Sequence, residues 1–90
     1  MALSMTPDQA ATTALKSLVY LVNSPEALDK FLHLSGADPQ TLRDCANEPE
    51  FLVSILDFML TNEELLSEFS SEAEIDVRAV HMARHILAGG

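Results

Sequence analysis

Two histidines near the end of the chain have a spacing that can support metal binding. His81 and His85 lie in the sequence HMARH, four residues apart, so a helix would carry both imidazoles on one face. The spacing is that of the HExxH zinc proteases, but Met82 occupies the position of their catalytic glutamate. Zinc needs a third protein ligand, and nothing in the sequence singles out His33, Cys45 or an acid for that role. The simpler interpretation is a polar face near a helix C-terminus, where the helix dipole favours cations.

Cys45 is the only cysteine and therefore cannot form an internal disulfide bond. This favours a reducing compartment, and we expect a cytoplasmic protein. Cys45 has no CxxC partner, and its spacing from Leu42 predicts that both side chains face the core. The chain also has no glycine-rich phosphate loop, no GxSxG nucleophile elbow and no acid pair marked as general acid and base. We therefore expect no enzymatic activity, no catalytic residue and no cofactor.

Acidic residues dominate the charge of the chain, which is −9 overall. The run from Thr61 to Asp76, TNEELLSEFSSEAEID, has six acids and no base, which is typical of a solvated helix face or of a docking surface for a basic partner. All 14 acids precede Val77, whereas two arginines and two histidines follow it. The candidate partner surface contains seven charged or titratable residues: Glu63, Glu64, Glu68, Glu72, Arg78, His81 and His85.

The charge argues against nucleic-acid binding, because phosphate backbones repel an acidic surface. The second and third predicted helices could be drawn as a helix-turn-helix, but the would-be recognition helix offers only Arg43. A mimic of nucleic acid that occupies a basic groove remains an alternative. The most apolar run, Phe51 to Leu60, carries Asp57 and is much shorter than the roughly 20 residues of a membrane span. We predict no membrane insertion.

Helix start and stop signals recur along the chain. Each of the four prolines follows, or nearly follows, a residue that can cap a helix. Thr6 with Gln9 and Thr61 with Glu64 have the spacing of a capping box. Asp38 and Asp76 are further caps, and Gly36 and Gly89–Gly90 are stop signals. These signals predict six helices, at residues 7–22, 25–35, 39–46, 49–60, 62–71 and 77–88.

Helical periodicity predicts which faces are buried. The first helix has a narrow polar stripe, expected to face solvent: Gln9, Thr13, Lys16 and Tyr20. Its opposite side is expected to face the core: Ala11, Ala14, Leu15, Leu18 and Val22. The fourth helix has only three polar residues, aligned at helical spacing, and therefore belongs at the centre of the fold.

The chain resembles itself at an offset of thirty-eight residues. Residues 12–46 then align with 50–84, and the shared positions include Leu18 with Leu56 and Phe31 with Phe69. The apolar pattern and the caps also match. We predict an all-α, compact six-helix bundle in one domain, 1–90, built from two repeated three-helix units that pack on each other.

Three stretches resemble the small alphaproteobacterial proteins called the domain of unknown function 3572 family. They are ALKSLVYLVNSPEALDKFLHLSGADPQTLR, EPEFLVSILDFMLTNEELLSEF and the closing amphipathic helix. The resemblance implies a bacterial, all-helical, cytoplasmic protein without assigned catalytic residues, whose genes often neighbour those of cell-cycle response regulators. Family members often have Gly-Leu-Asp-Pro before the last helix, whereas this chain has Glu74 to Val77, Glu-Ile-Asp-Val, which implies a less sharp helix start.

The functional hypothesis from these observations is a protein–protein interaction module or adaptor, in signalling, that binds another protein or itself. Forty-eight per cent of the residues are hydrophobic, which is more than a small monomer readily hides. Two alternatives remain open: a metal-binding or catalytic protein that uses His81 and His85, and the acidic nucleic-acid mimic.

Overall fold

The structure is a computed structural model and describes residues 5–89, so Gly90 of the predicted closing signal lies outside the described residues. The chain forms six helices and, within the described range, no strand. The helices are α1 (Pro7–Val22), α2 (Pro25–Ser35), α3 (Pro39–Cys45), α4 (Pro49–Thr61), α5 (Glu63–Ala73) and α6 (Val77–Leu87). The predicted all-α, compact six-helix fold is confirmed.

Side-chain caps set most of the helix starts. Thr6 and Gln9 form the predicted capping box, in which each side chain accepts a hydrogen bond from the other residue's backbone N–H, at 3.1 and 2.9 Å. The capping box predicted at Thr61 and Glu64 is wrong. Thr61 is the last residue of α4 and donates its hydroxyl to a carbonyl of that helix, while Asn62 caps α5 by accepting from the N–H of Leu65.

The start of α6 is as well capped as that of α3. Asp38 and Asp76 are their N-caps, and each accepts a backbone N–H at 2.8 Å, from Thr41 and Arg78. The less sharp start expected for α6 is therefore not observed, since the carboxylate of Asp76 satisfies the helix terminus without a following proline.

Helix α4 lies at the centre of the fold, as predicted, and packs against α1, α5 and α6. Five of its residues are buried: Leu52, Ile55, Leu56, Phe58 and Met59. Helices α1 and α6 pack along each other, and α2 and α5 cover the remaining sides of this three-helix centre. The short α3 contributes one buried residue, Leu42.

The predicted faces of α1 are wrong in part. Its buried residues are mostly small: Ala10, Thr13, Ala14, Ser17 and Leu21. Small side chains let α1 approach α4 and α6 closely, and the larger Leu15 and Val22, expected in the core, face outward instead. The hydroxyls of Thr13 and Ser17 donate to the carbonyls of Gln9 and Thr13 in the preceding turn, so their burial leaves no unpaired donor.

Two aromatic contacts cross between the halves of the chain in a reciprocal way, and a third, Phe31 on Phe51 with ring centroids 6.0 Å apart, has no counterpart. Phe31 of α2 packs edge-to-face on Phe58 of α4, and Phe69 of α5 packs edge-to-face on Tyr20 of α1. Both pairs have ring centroids 5.4 Å apart. Phe31 and Phe69 are thirty-eight residues apart in the sequence, and so are Tyr20 and Phe58. The sequence repeat stays a prediction. If residues 12–46 and 50–84 are two equivalent units, each would place its phenylalanine on a ring of the other in this way.

The ends of α2 and α5 support one stability prediction. Both helices end in a left-handed residue, Gly36 (φ 72°) and Glu74 (φ 54°), thirty-eight residues apart, and Glu74 is the only non-glycine residue with positive φ among residues 5–89. Glu74→Gly should therefore stabilise the protein by about 0.5–1 kcal/mol, because relief of left-handed strain exceeds the added flexibility of the unfolded chain. Urea denaturation measures the gain.

The matched control for Glu74→Gly is Gly36→Ala. A Cβ on Gly36 would meet no atom within 4 Å, so the left-handed φ is the only source of strain there. We expect this variant to lose stability. A loss of stability in Glu74→Gly would show that the side chain of Glu74 contributes more than its backbone strain costs.

Candidate functional site: the groove between α1 and α5

Because the small residues of α1 face the core, larger apolar residues of this helix form a stripe on the protein surface. This α1 stripe consists of Leu15, Val19 and Val22, which are 36%, 59% and 53% exposed. They follow one another at intervals of four and three residues and therefore lie along one side of the helix. Leu34 on α2, 73% exposed, is the other large exposed apolar residue among residues 5–89. The α1 stripe thus contains three of the four large apolar residues that are exposed among residues 5–89.

A groove of about 440 Å³ runs beside the stripe. Its lining comes from α1 and α5, and we call it the α1–α5 groove: Thr12, Leu15, Lys16, Val19, Tyr20, Phe69, Glu72 and Ala73. Phe69 lies fully buried beneath the groove, while Leu15 and Val19 form an exposed apolar wall. Most of the lining is apolar, as in binding sites for apolar side chains.

The α5 side of the groove is acidic. Glu72 lines the groove, and Glu68, one turn earlier on α5, accepts a 3.1 Å hydrogen bond from the hydroxyl of Tyr20. The pKa of the Tyr20 hydroxyl is raised, first by burial, then by this hydrogen bond and by the charges of Glu68 and Glu72. Among residues 5–89, Lys16 is the only basic residue that lines the groove. An apolar floor thus lies beside a negatively charged edge.

The predicted partner surface is divided by the fold into two sides of α5. Glu64, Glu68 and Glu72 recur every four residues and lie along one side, toward α1 and α2. Glu63 lies on the other side, in a second groove that it shares with His81. Glu63 and His81 therefore do not share one groove with Glu64, Glu68 and Glu72.

The arginines of α6 are engaged by acids. Arg78 forms an exposed ion pair with its own helix cap, Asp76, at 2.9 Å, and Arg84 pairs with Asp57 of α4. These pairs raise the pKa of both arginines through hydrogen bonds to the carboxylates. Both arginines of α6 are thus paired with acids within the fold, although the Arg78 pair is exposed and therefore weak.

His81 and His85 are both exposed, on one side of α6. Within residues 5–89, no group of three or more His, Cys, Asp or Glu side chains is placed to hold a metal ion. The metal-binding alternative therefore lacks the third ligand that zinc requires, and it stays a prediction that the geometry does not support.

Cys45 is only partly buried, at the end of α3, and not in the core as predicted. Its pKa is raised by a hydrogen bond with Glu48, by burial and by the charges of Glu48 and Asp44. A raised pKa disfavours the thiolate, which is the reactive form, so this environment suits an inert thiol.

Comparison with known proteins gives a family. The model of the family described as "Protein of unknown function (DUF3572)" matches residues 7–90. The chain belongs to this family. The family inferred from the sequence is thereby confirmed, while the alphaproteobacterial origin stays a prediction, and the description of the family assigns it no activity. Neither the curated proteins nor the solved structures contain a match to the chain.

No helix of residues 5–89 has both the length and the apolar character that crossing a membrane requires.

The candidate binding sites on the described surface are grooves between helices. The grooves beside α2 and between α5 and α6 have more polar linings than the α1–α5 groove. The α1–α5 groove is therefore the candidate functional site.

Sequence reasoning missed this site because it placed Leu15 and Val22 in the core. The signal that locates it is the run of small residues Ala10, Ala14 and Ser17, spaced by four and three. Small residues at helical spacing indicate a close helix–helix contact, which turns the bulkier side chains outward.

Proposed function

We propose that this DUF3572 protein is a protein–protein interaction module, in a signalling role, whose partner docks on the α1 stripe and in the α1–α5 groove. The observation that carries the proposal is the exposure of Leu15, Val19 and Val22 beside a groove with a fully buried aromatic floor. A contiguous apolar surface with a polar edge is typical of a site for another protein.

Binding rather than catalysis is the role that the side-chain environments favour. The groove contains the tyrosine hydroxyl of Tyr20, whose pKa is raised, and no histidine or cysteine lines it. A single cysteine, which cannot form an internal disulfide bond, suits a reducing compartment such as the cytoplasm, where we place the interaction.

The test is affinity capture from cells that naturally make the protein, with three forms as bait. We expect the wild-type protein to retain a partner in stoichiometric amount and Val19→Gln to lose it at least about tenfold, because the substitution places a polar group in the apolar contact. Quantitative mass spectrometry measures the retained amount.

Leu34→Gln is the matched control, since Leu34 is even more exposed than Val19 and lies on α2, away from the groove. It should retain the partner at the wild-type level. Equal retention by all three forms, or no partner at low salt, would contradict the proposal. A nucleic-acid-binding protein that is retained independently of Val19 and released by salt would instead support mimicry.

A further inference from the structure

We propose that the occupant of the α1–α5 groove is a basic amphipathic α-helix of another protein. This inference rests on the proposed function and specifies its partner: a helix whose apolar face lies along the α1 stripe and whose lysines or arginines lie against α5. Three observations support it, and they concern spacing, charge and the cost of the competing occupant.

The spacing of the exposed residues suits a helical partner. Thr12, Leu15, Val19 and Val22 are separated by three, four and three residues, which is the a/d seam of a coiled coil. The hydroxyl of Thr12 already donates to the carbonyl of Asp8, so it demands no partner in the seam. A helix laid along α1 can insert its own apolar side chains between these residues and into the groove.

The charge beside the groove selects a basic helix. Glu64, Glu68 and Glu72 form an acidic row along α5, about six ångströms from one residue to the next as in any helix. Glu72 lines the groove, Glu68 is hydrogen-bonded to Tyr20 at its edge, and Glu64 continues the row toward α2. Neither α5 nor the stripe contains a base, and Lys16 is the only base among the described residues that line the groove. Lysines or arginines at every fourth position of a docked helix would face this row, whereas acidic side chains would be repelled.

A second copy of the chain is the competing occupant, and its charge disfavours it. Each copy carries −9, and contact through the stripe would bring two acidic α5 helices toward each other. Like charges across an interface suppress association, so a dimer through this face would form less readily than a complex with a basic helix.

The test uses two synthetic peptides of about 18 residues, or five helical turns, cross-linked within the chain to keep them helical. Both carry leucines at alternating intervals of three and four residues. One has lysines at the flanking positions and its twin has glutamates there. We expect the lysine peptide to bind the full chain at least about tenfold more tightly at low salt, measured by fluorescence anisotropy, and the difference to narrow as salt is added.

Two pairs of variants locate the contact. Val19→Gln should weaken the lysine peptide about tenfold and Leu34→Gln should leave it unchanged. The double variant Glu68→Gln/Glu72→Gln should bind the lysine peptide several-fold more weakly. The double variant Glu48→Gln/Glu50→Gln removes the same charge elsewhere and should change the affinity less than about twofold.

Equal affinities of the two peptides, or no saturable binding of the lysine peptide, would overturn the inference about the partner. So would a dimer, seen by sedimentation, that Val19→Gln dissociates. The proposed function is tested separately, because the native partner's loss with Val19→Gln does not depend on the charge of either peptide.

Discussion

Ile55→Asp should leave the chain unfolded at room temperature. Ile55 is fully buried in the central helix α4, where a carboxyl group would have neither solvent nor a cationic partner. Loss of the isoleucine contacts alone costs about 2–5 kcal/mol, and burial of an unpaired polar or charged group adds several more. A chain of this length is stable by only about 5–13 kcal/mol, at about 0.05–0.15 kcal/mol per residue.

Far-ultraviolet circular dichroism during urea denaturation measures this effect. The matched control is Ser54→Asp, which introduces the same residue one position earlier on the exposed side of α4. Repulsion from Glu50 and Asp57, which lie four and three residues away on that side, should cost this control only a few tenths of a kcal/mol. A cooperative transition of Ile55→Asp close to that of the wild type would show that α4 is not central.

Phe69→Ala and Phe31→Ala should each cost about 3–5 kcal/mol, and the two losses should be similar. Phe69 is fully buried and Phe31 is 2% exposed, and each packs edge-to-face on an aromatic ring of the other half of the chain, Tyr20 or Phe58. Similar losses are expected because both rings are buried and the two contacts have the same centroid distance, 5.4 Å; Phe31 makes in addition a longer contact with Phe51, at 6.0 Å.

Urea denaturation of the two alanine variants and of Phe69→Leu tests this packing. The leucine variant keeps most of the buried volume but not the ring contact, and should therefore lose much less stability than Phe69→Ala. A loss under about 1 kcal/mol in one alanine variant and a large loss in the other would contradict the reciprocal packing of two equivalent units.

Helix positions were predictable because their signals are local. Proline after a capping residue, as at Thr6 and Asp38, and glycine in the left-handed conformation at Gly36 act within a few residues of the chain. The cap predicted at Thr61 shows the limit. Thr61 and Asn62 can both cap a helix, and the choice depended on whether α4 continues through Thr61, which its packing decides.

The orientation of α1 was not predictable from polarity, because burial there follows size. Thr13 and Ser17 count as polar in a periodicity analysis, but their hydroxyls bond to their own helix, which lets them occupy a close helix contact. Leu15 and Val22 count as apolar, but they are too bulky for that contact. The α1–α5 groove was not predicted for the same reason: it is formed by large apolar side chains of α1 that face outward, whereas a polarity analysis places them in the core.

Charged residues were predictable as exposed but not as a surface. The glutamates of α5 all face solvent, as their periodicity indicated. Their division between two grooves, and the engagement of Arg84 by Asp57 of another helix, depend on how helices distant in sequence pack together. A sequence pattern on one helix does not contain that information.

The most direct test of partner docking on α1 is photo-crosslinking inside living cells that naturally make the protein. A photoreactive amino acid replaces Val19 in one form and Leu34 in another, and both forms are irradiated at native expression level. We predict one dominant crosslinked protein from position 19 and none of it from position 34, with the crosslink mapped to a basic helix of that protein. The absence of a specific product at position 19, or the same product from both positions, would contradict the account.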